Sequence, residues 1–251
     1  MIIDTHVHMT DGRFRKGDDK GLSSGETIDL MDACDIEKIW ISPTSGLYGA
    51  GEYEVSNYEL FKFCSYSPKR FIGFCTVNPN YGSTTIDEIR RCVYDYGFKG
   101  LKLHTWLQGC PVSHESVSLI TEECIDLDIP MIFHDGTAPY ASTLQVVNLA
   151  SRYPQARIIL GHAGLIESCN EAIHAANKYP NVYLSLTGPS IFYLQKIIDE
   201  TDKTKIMFGS DFGFGKSSFP LKNRLDMFRF VEMSEDTRDK LFYVNADNFL
   251  S

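Results

Sequence analysis

The chain has 251 residues, of which 43% are hydrophobic and 23% are charged. These proportions are typical of an ordinary globular protein, and a chain of this length is commonly one large domain. The formal net charge of −9 argues against a nucleic-acid partner, because binding to phosphates needs clustered Lys and Arg. No segment approaches the roughly 20 apolar residues that cross a bilayer, so we expect no membrane association.

The cysteines indicate a reducing compartment. There are seven of them, an odd number without CxxC spacing, which argues against a disulfide framework and against a cysteine zinc site. The N-terminus has no basic segment followed by an apolar stretch, as an export signal would have. We therefore expect a cytoplasmic protein whose cysteines are mostly small core residues.

Short apolar segments alternate along the whole chain with segments of helical spacing. The predicted strands are 2–7, 38–42, 71–77, 100–104, 130–134, 157–161, 182–186 and 205–209. The predicted helices are 26–35, 55–66, 84–96, 116–127, 142–152, 167–178, 191–200, 221–232 and 235–248. This alternation indicates βαβ units and a parallel sheet, and eight repeats predict an α/β fold, a (β/α)8 TIM barrel with a single domain over residues 1–251.

The first predicted strand carries a histidine pair. Side chains two apart on a strand point to the same face, so His6 and His8 converge on one point, as a metal site requires. The alternative is two ordinary polar residues where the strand leaves the core. Asp4 has the same parity, and we expect it to be a hydrogen-bond partner of one of these histidines rather than a ligand.

The ends of the other predicted strands carry further polar residues. Active sites of (β/α)8 barrels lie at the C-terminal ends of the strands. His104, His134, His162 and Asp211 all fall there, so five of the seven histidines lie on this rim. Each has a structural alternative, namely a core histidine bonded to a carbonyl, a turn residue, or a capping aspartate.

Four motifs carry a family resemblance over the whole chain: residues 3–8 (IDTHVH), 132–134 (IFH), 161–164 (GHAG) and 209–211 (GSD). Together they resemble the amidohydrolase superfamily of metal-dependent barrels. Segments 98–104 and 244–246 look most like its amidohydrolase-2 branch, which includes aminocarboxymuconate-semialdehyde decarboxylase. The segment after His8 lacks the proline-containing continuation common in that branch, so substrate recognition there is not carried over.

The resemblance implies roles for these residues. His6, His8 and His134 would bind a divalent metal, with Asp211 as a ligand or near neighbour. Imidazole and carboxylate ligands suit zinc best, with manganese as a further option. Asp211 would also transfer protons, and His162 would orient the substrate or act as general base.

Lys102 and His104 share one face of the fourth predicted strand. In binuclear members of the superfamily, a carbamylated lysine at the end of this strand bridges two metals. In the mononuclear branch, Lys102 would instead contact an anionic substrate, and we favour one metal over two. His104 would contact the substrate or another residue of the site.

Loops at the rim supply weaker candidates for substrate binding. Arg13, after the first strand, could pair with a carboxylate, and Trp106, after the fourth, could form a pocket wall. For either residue an ordinary solvated loop position is the alternative.

From these features we expect a metal-dependent hydrolase that uses metal-activated water on an amide, ester or lactone bond of a small molecule. The alternative is a non-oxidative decarboxylase of a small carboxylated substrate, since the same residues suit both reactions. A non-catalytic binding barrel is a third option. Relatives are often dimers, so a homodimer is also open, although no residue identifies an interface.

Overall fold

A computed structural model describes residues 1–9, 21–48, 52–213 and 217–250, and it contains a barrel of eight parallel strands. The strands β1–β8 are Ile2–Met9, Ile36–Pro43, Phe71–Cys75, Gly100–Leu103, Met131–Phe133, Ile158–Leu160, Val182–Ser185 and Ile206–Met207. Each pairs with the next one along the chain. Hydrogen bonds from Thr5 N to Phe208 O (3.0 Å) and from His8 N to Phe212 O (2.7 Å) join β1 to the end of β8. The predicted (β/α)8 barrel is confirmed.

Ten α-helices accompany the strands in the described part of the chain. Helices α1–α10 are Ser24–Ala33, Tyr53–Cys64, Thr84–Tyr94, Glu115–Asp126, Thr143–Arg152, Cys169–Lys178, Ile191–Glu200, Phe219–Phe228, Glu235–Asp239 and Asn245–Phe249. Ser234 caps the N-terminus of α9, since its hydroxyl accepts a hydrogen bond from Thr237 N at 3.2 Å. A π-helical turn, Lys240–Val244, divides the last predicted helix because its Leu241 carbonyl accepts a hydrogen bond from Phe208 N in the barrel.

No described helix combines the length and apolar character that crossing a bilayer requires. All seven cysteines are free, and six of them are buried, as their spacing predicted.

Four strands, β4 to β7, end one residue earlier than predicted, which places His104 and His134 at the first loop positions after β4 and β5. The ladder nevertheless continues through single hydrogen bonds, from His134 N to Leu103 O at 2.9 Å and from Gly161 N to Phe133 O at 2.8 Å. These residues therefore keep the register of the sheet although regular pairing has ended.

Strand β1 contains an irregularity that the alternation rule does not predict. Asp4 pairs with Ile39 and Val7 with Ile41, so three steps on β1 match two on β2. Such a bulge lets two consecutive side chains turn toward the same side. The Thr5 hydroxyl accordingly contacts Ser185 Oγ on β7 at 2.9 Å, while the His6 ring contacts Gly161 O after β6.

The core has two parts. The larger lies between the strands and the surrounding helices, and the smaller fills the N-terminal end of the barrel. The smaller cluster consists of Ile3, Trp40, Phe74, Ile132, Ile159 and Met207, with Ala246 and Phe249 from α10. The Phe249 ring packs 5.9 Å from Trp40 and 4.6 Å from Tyr183, between ring centroids, so α10 covers the barrel floor.

We expect Phe249→Ala to lower the free energy of unfolding by about 3 kcal/mol, because it opens a cavity under the barrel. Urea denaturation followed by circular dichroism measures this change. Phe230→Ala is the matched control, since Phe230 is 75% exposed and should tolerate the same truncation. Equal effects of the two substitutions would contradict the packing role of Phe249.

Candidate metal centre at the barrel rim

Five imidazoles form a continuous chain across the C-terminal mouth of the barrel. Ring centroids are separated by 5.2 Å for His8 and His6, 4.9 Å for His6 and His162, 4.3 Å for His162 and His134, and 3.8 Å for His134 and His104. All five side chains are largely buried in a polar cluster. The structure thus brings together every histidine that the sequence places on this rim.

Asp211 lies at one end of this chain. Its Oδ1 is 3.1 Å from His8 Nε2 and 3.6 Å from His6 Nε2. Among the described residues, the compact group able to hold a metal ion is His6, His162 and Asp211, whose ligand atoms lie within 4.8 Å of one another. His134, an expected ligand, is adjacent, but its Nε2 is 2.9 Å from Thr137 Oγ1.

The carbonyl oxygen of Gly161 orients two of the rings. His6 Nδ1 lies 2.9 Å from it, and the Thr187 hydroxyl donates to it at 2.5 Å. Because the Thr187 hydroxyl donates its proton to Gly161 O, it cannot also donate to His162. Its oxygen therefore accepts a hydrogen bond from His162 Nδ1, 2.7 Å away. Both rings therefore carry the proton on Nδ1 and have an unprotonated Nε2. The lone pair of that nitrogen is what a metal ion would bind.

His8 is held by a different contact. Its Nδ1 lies 3.2 Å from the Ser42 hydroxyl on β2, which directs Nε2 toward Asp211. In the metal-free protein the hydrogen bond to Asp211 places the His8 proton on Nε2. The Ser42 hydroxyl can donate or accept, so this contact also allows the tautomer with an unprotonated Nε2 that a metal would need.

Burial keeps these imidazoles neutral. It lowers the pKa of His8 and of His104, lowers that of His134 to about 3, and places those of His6 and His162 well below the ordinary range. Neutral imidazole is the form that binds metal.

The carboxyl group of Asp211 stays ionised. Burial raises its pKa, but the hydrogen bond from His8 and the neighbouring imidazoles outweigh this and hold that pKa well below its usual value. The group therefore combines neutral nitrogen donors with an ionised carboxylate, which is a suitable ligand set for a divalent cation.

Lys102, which we expected to contact a metal or an anionic substrate, lies against His6. Its side chain is fully buried, and its Nζ lies 2.7 Å from His6 Nε2, in front of the atom that a metal would use. Burial lowers the pKa of Lys102 to about 8, and the charges of Asp211 and Asp135 only partly oppose this. An ammonium group here competes with a metal ion for His6.

Two buried carboxylates hold the backbone of the site. Asp4 accepts hydrogen bonds from His6 N (3.2 Å), Ser210 N (3.0 Å) and Ser210 Oγ (2.5 Å). Asp4 is therefore a hydrogen-bond partner of His6, as we expected, although it binds the backbone amide of His6 and not the ring. Burial raises its pKa to about 7.

Asp135 is a residue that the sequence analysis missed. It accepts from His162 N and Gly164 N, both at 2.7 Å, and so fixes the turn that carries His162. Its position directly after His134 was the available signal.

The remaining candidates are more peripheral. His104 stacks on His134 with 13° between the ring planes, and its Nδ1 accepts from Leu107 N at 3.4 Å. Trp106 is 44% exposed. Arg13 lies outside the described residues. A cavity of about 470 Å³ opens beside Thr187 and Asp211 and is the nearest described space for a ligand.

A (β/α)8 barrel with imidazole and carboxylate groups at the C-terminal rim defines a class of metal-dependent barrel enzymes. The chain belongs to the amidohydrolase family: the family model described as "Amidohydrolase" (Amidohydro_2) matches residues 3–251. The predicted family is confirmed.

Relatives and solved structures give finer comparisons. The gamma-resorcylate decarboxylase of Polaromonas sp. (strain JS666) is 26% identical over 235 residues, covering 72% of this chain and 70% of its own length. The crystal structure of 2,6-dihydroxybenzoate decarboxylase from Rhizobium has a TM-score of 0.78 at 18% identity and covers 99% of this chain and 98% of that one. A dihydroxybenzoic acid decarboxylase from Polaromonas sp. JS666, with bound manganese and 2-nitroresorcinol, has a TM-score of 0.77 at 20% identity, covering 99% and 96%.

These comparisons correct our functional prediction. A hydrolase is contradicted, because the relatives are decarboxylases, which are lyases. The reason for the error is chemical: the residues at the strand ends suit both reactions, and the motifs report these residues rather than the bond that breaks. The neighbouring decarboxylase structure contains manganese and not the zinc that we expected here. Among its described residues, this chain has a group of side chains that could hold a metal ion.

We predict that Lys102 makes the stability of the metal-free protein rise with pH. Its pKa is about 8 in the folded protein and 10.5 for a free side chain. Between these values the unfolded chain holds a proton that the folded chain does not, so the free energy of unfolding increases with pH. Lys102→Met should remove about 2 kcal/mol of this rise between about pH 8 and pH 10, measured by urea denaturation.

Lys99→Met, which changes an exposed lysine next to the same strand, is the control and should follow the wild-type curve. Parallel curves for wild type and Lys102→Met would show that Lys102 keeps an ordinary pKa.

Proposed function

We propose that this chain is a divalent-metal-dependent, non-oxidative decarboxylase of a small carboxylated molecule. The observation that carries this proposal is the compact group of His6, His162 and Asp211 at the rim of a barrel whose relatives are decarboxylases. The proposal also takes up the alternative that the sequence motifs left open.

The residues present fit a metal ion. The His6 and His162 rings offer Nε2 lone pairs, His8 Nε2 lies beside the same carboxylate oxygen, and Asp211 is ionised. We propose that His6, His8, His134 and Asp211 hold one metal, with Lys102 displaced from His6 or deprotonated. When bound, the ion supplies a positive charge that holds an anionic substrate and withdraws electrons from it.

Decarboxylation needs a proton at the carbon that loses the carboxylate. The carbon–carbon bond breaks, carbon dioxide leaves, and the electron pair that remains forms a new carbon–hydrogen bond. Asp211, whose side chain is 36% exposed, is the proposed carrier of this proton: ionised at rest, it would first take up a proton from solvent and then deliver it to the carbon as the carbon–carbon bond breaks. His162, fixed by Asp135 and Thr187, is proposed to orient the substrate.

The size and surroundings of the site favour a compact acid. The cavity beside Asp211, at about 470 Å³, is within the usual range for small-molecule sites. The relatives are named for dihydroxybenzoates. We therefore propose an aromatic or similarly unsaturated carboxylate as the substrate class.

We expect the protein, supplied with manganese, to release carbon dioxide from 2,6-dihydroxybenzoate or a related hydroxybenzoate, and to leave ester and lactone substrates intact. Chelation with EDTA should abolish the reaction, and Asp211→Asn should slow it by about a hundredfold or more. Product analysis by chromatography with a carbon dioxide assay measures both. His174→Ala, which changes an exposed histidine on α6, is the control. Acid release from the esters instead would contradict the proposal.

The variants His134→Ala and His162→Ala should differ in their metal content. We expect His134→Ala to lose most of the bound manganese, because the proposed role of His134 is ligation, and His162→Ala to keep it while losing turnover. Inductively coupled plasma mass spectrometry of the purified variants measures the stoichiometry. The reverse result would assign the ligand role to His162, in agreement with the compact group of His6, His162 and Asp211.

A further inference from the structure

A positive charge is buried beside the candidate site without a carboxylate partner. Arg224, on α8, is only 5% exposed. Its Nε donates to Leu186 O at 2.8 Å, its Nη2 donates to the same oxygen, and its Nη1 donates to Pro189 O at 2.7 Å and contacts Met227 Sδ at 3.6 Å. Within the described residues no Asp or Glu forms an ion pair with it.

Backbone carbonyls satisfy these donors but do not neutralise the charge. A guanidinium has five N–H groups, and the contacts of Arg224 use four, so one Nη2 hydrogen has no acceptor within the described chain. Burying a charge without a direct ion pair is costly, and burial lowers the pKa of Arg224 to about 10, although the charges of Asp211 and Asp4 partly oppose this. An anionic ligand would remove this cost.

The cavity beside the site provides the space for such a ligand. Arg224 lines it together with Thr187 and Asp211, which belong to the candidate site, and with the apolar side chains of Ile166 and Phe219. Among the described residues that line the cavity, Asp211 is the only one with a carboxylate, and the Asp211 Oδ1 atom is directed to His8 and His6 at 3.1 and 3.6 Å. A ligand in this cavity would therefore lie next to a cation, an apolar wall and the candidate site.

We infer that Arg224 forms a subsite for a second acidic oxygen group of the substrate, a group that the reaction leaves in place. This inference rests on the proposed decarboxylase function and narrows its substrate class to acids that carry such a second group on a planar, apolar body.

The group at Arg224 is not the carboxylate that leaves. A guanidinium on that carboxylate would stabilise the charged substrate more than a transition state in which the charge has moved to the carbon, and so would slow the reaction. A retained carboxylate or phenolate keeps its charge throughout, and its binding anchors the molecule with the reacting end toward Asp211.

The test is a comparison of two unreactive probes, benzoate and isophthalate, which differ by one carboxylate. Isothermal titration calorimetry with the manganese-supplied protein should find isophthalate binding about tenfold more tightly than benzoate. Arg224→Met should remove this preference while leaving benzoate affinity close to wild type, and Arg224→Lys should retain part of it. Arg157→Met is the matched control, because Arg157 also donates to a backbone carbonyl, that of Phe249, but at the barrel floor.

A second pair of variants avoids the contacts of Arg224. Phe219→Asp places a carboxylate on the cavity wall, at the first turn of α8, where an acidic side chain stabilises a helix. It should weaken isophthalate binding about tenfold by repulsion. Phe192→Asp makes the same change in the first turn of α7, at a residue that is 86% exposed and does not line the cavity, and should have no effect.

The outcomes separate the subsite from the function. An isophthalate preference that depends on Arg224 and Phe219 supports the subsite even if no acid is decarboxylated, in which case the proposed function fails alone. An active decarboxylase without this preference, or one in which Arg157→Met and Phe192→Asp remove it equally, overturns the subsite.

Discussion

The geometry of the candidate site depends on hydrogen bonds to one atom, the carbonyl oxygen of Gly161. It binds the His6 ring and the Thr187 hydroxyl, and Thr187 in turn orients His162. One backbone atom thus decides the tautomers of two imidazoles that are 156 residues apart in the chain. The position requires glycine, since a Cβ would lie 2.5 Å from Phe133 O and 3.0 Å from His6 Cε1.

Much of this fold could be predicted from sequence because its determinants are local. The alternation of apolar strands and helical segments reports the barrel, and histidines at strand ends report the rim. The bulge in β1 and the roles of Ser42, Asp135 and Thr187 could not be predicted in this way. They arise from contacts between distant segments, and a single Ser, Thr or Asp carries no sign of which backbone group it will bind.

The reaction was harder to predict than the ligands. A metal-holding set of imidazoles and a carboxylate polarises many kinds of substrate, so the bond that breaks is decided by what the surrounding cavity binds and where a proton is available. Here those features come from the loops after β6, β7 and β8 and from α8. Lys102 adds a further constraint, since its amine contacts His6 Nε2, the same nitrogen that a metal would bind.

The packing of Phe249 under the barrel has a consequence for the order of events in a reaction. Because apolar side chains fill the barrel floor, the described residues leave no passage at that end, and molecules would enter and leave at the C-terminal rim. In the decarboxylation proposed above, carbon dioxide would have to leave past the remaining product. Recapture of carbon dioxide by the product would then compete with its escape. The rate at which molecules leave through the C-terminal rim would therefore help to set the balance between the forward reaction and its reversal.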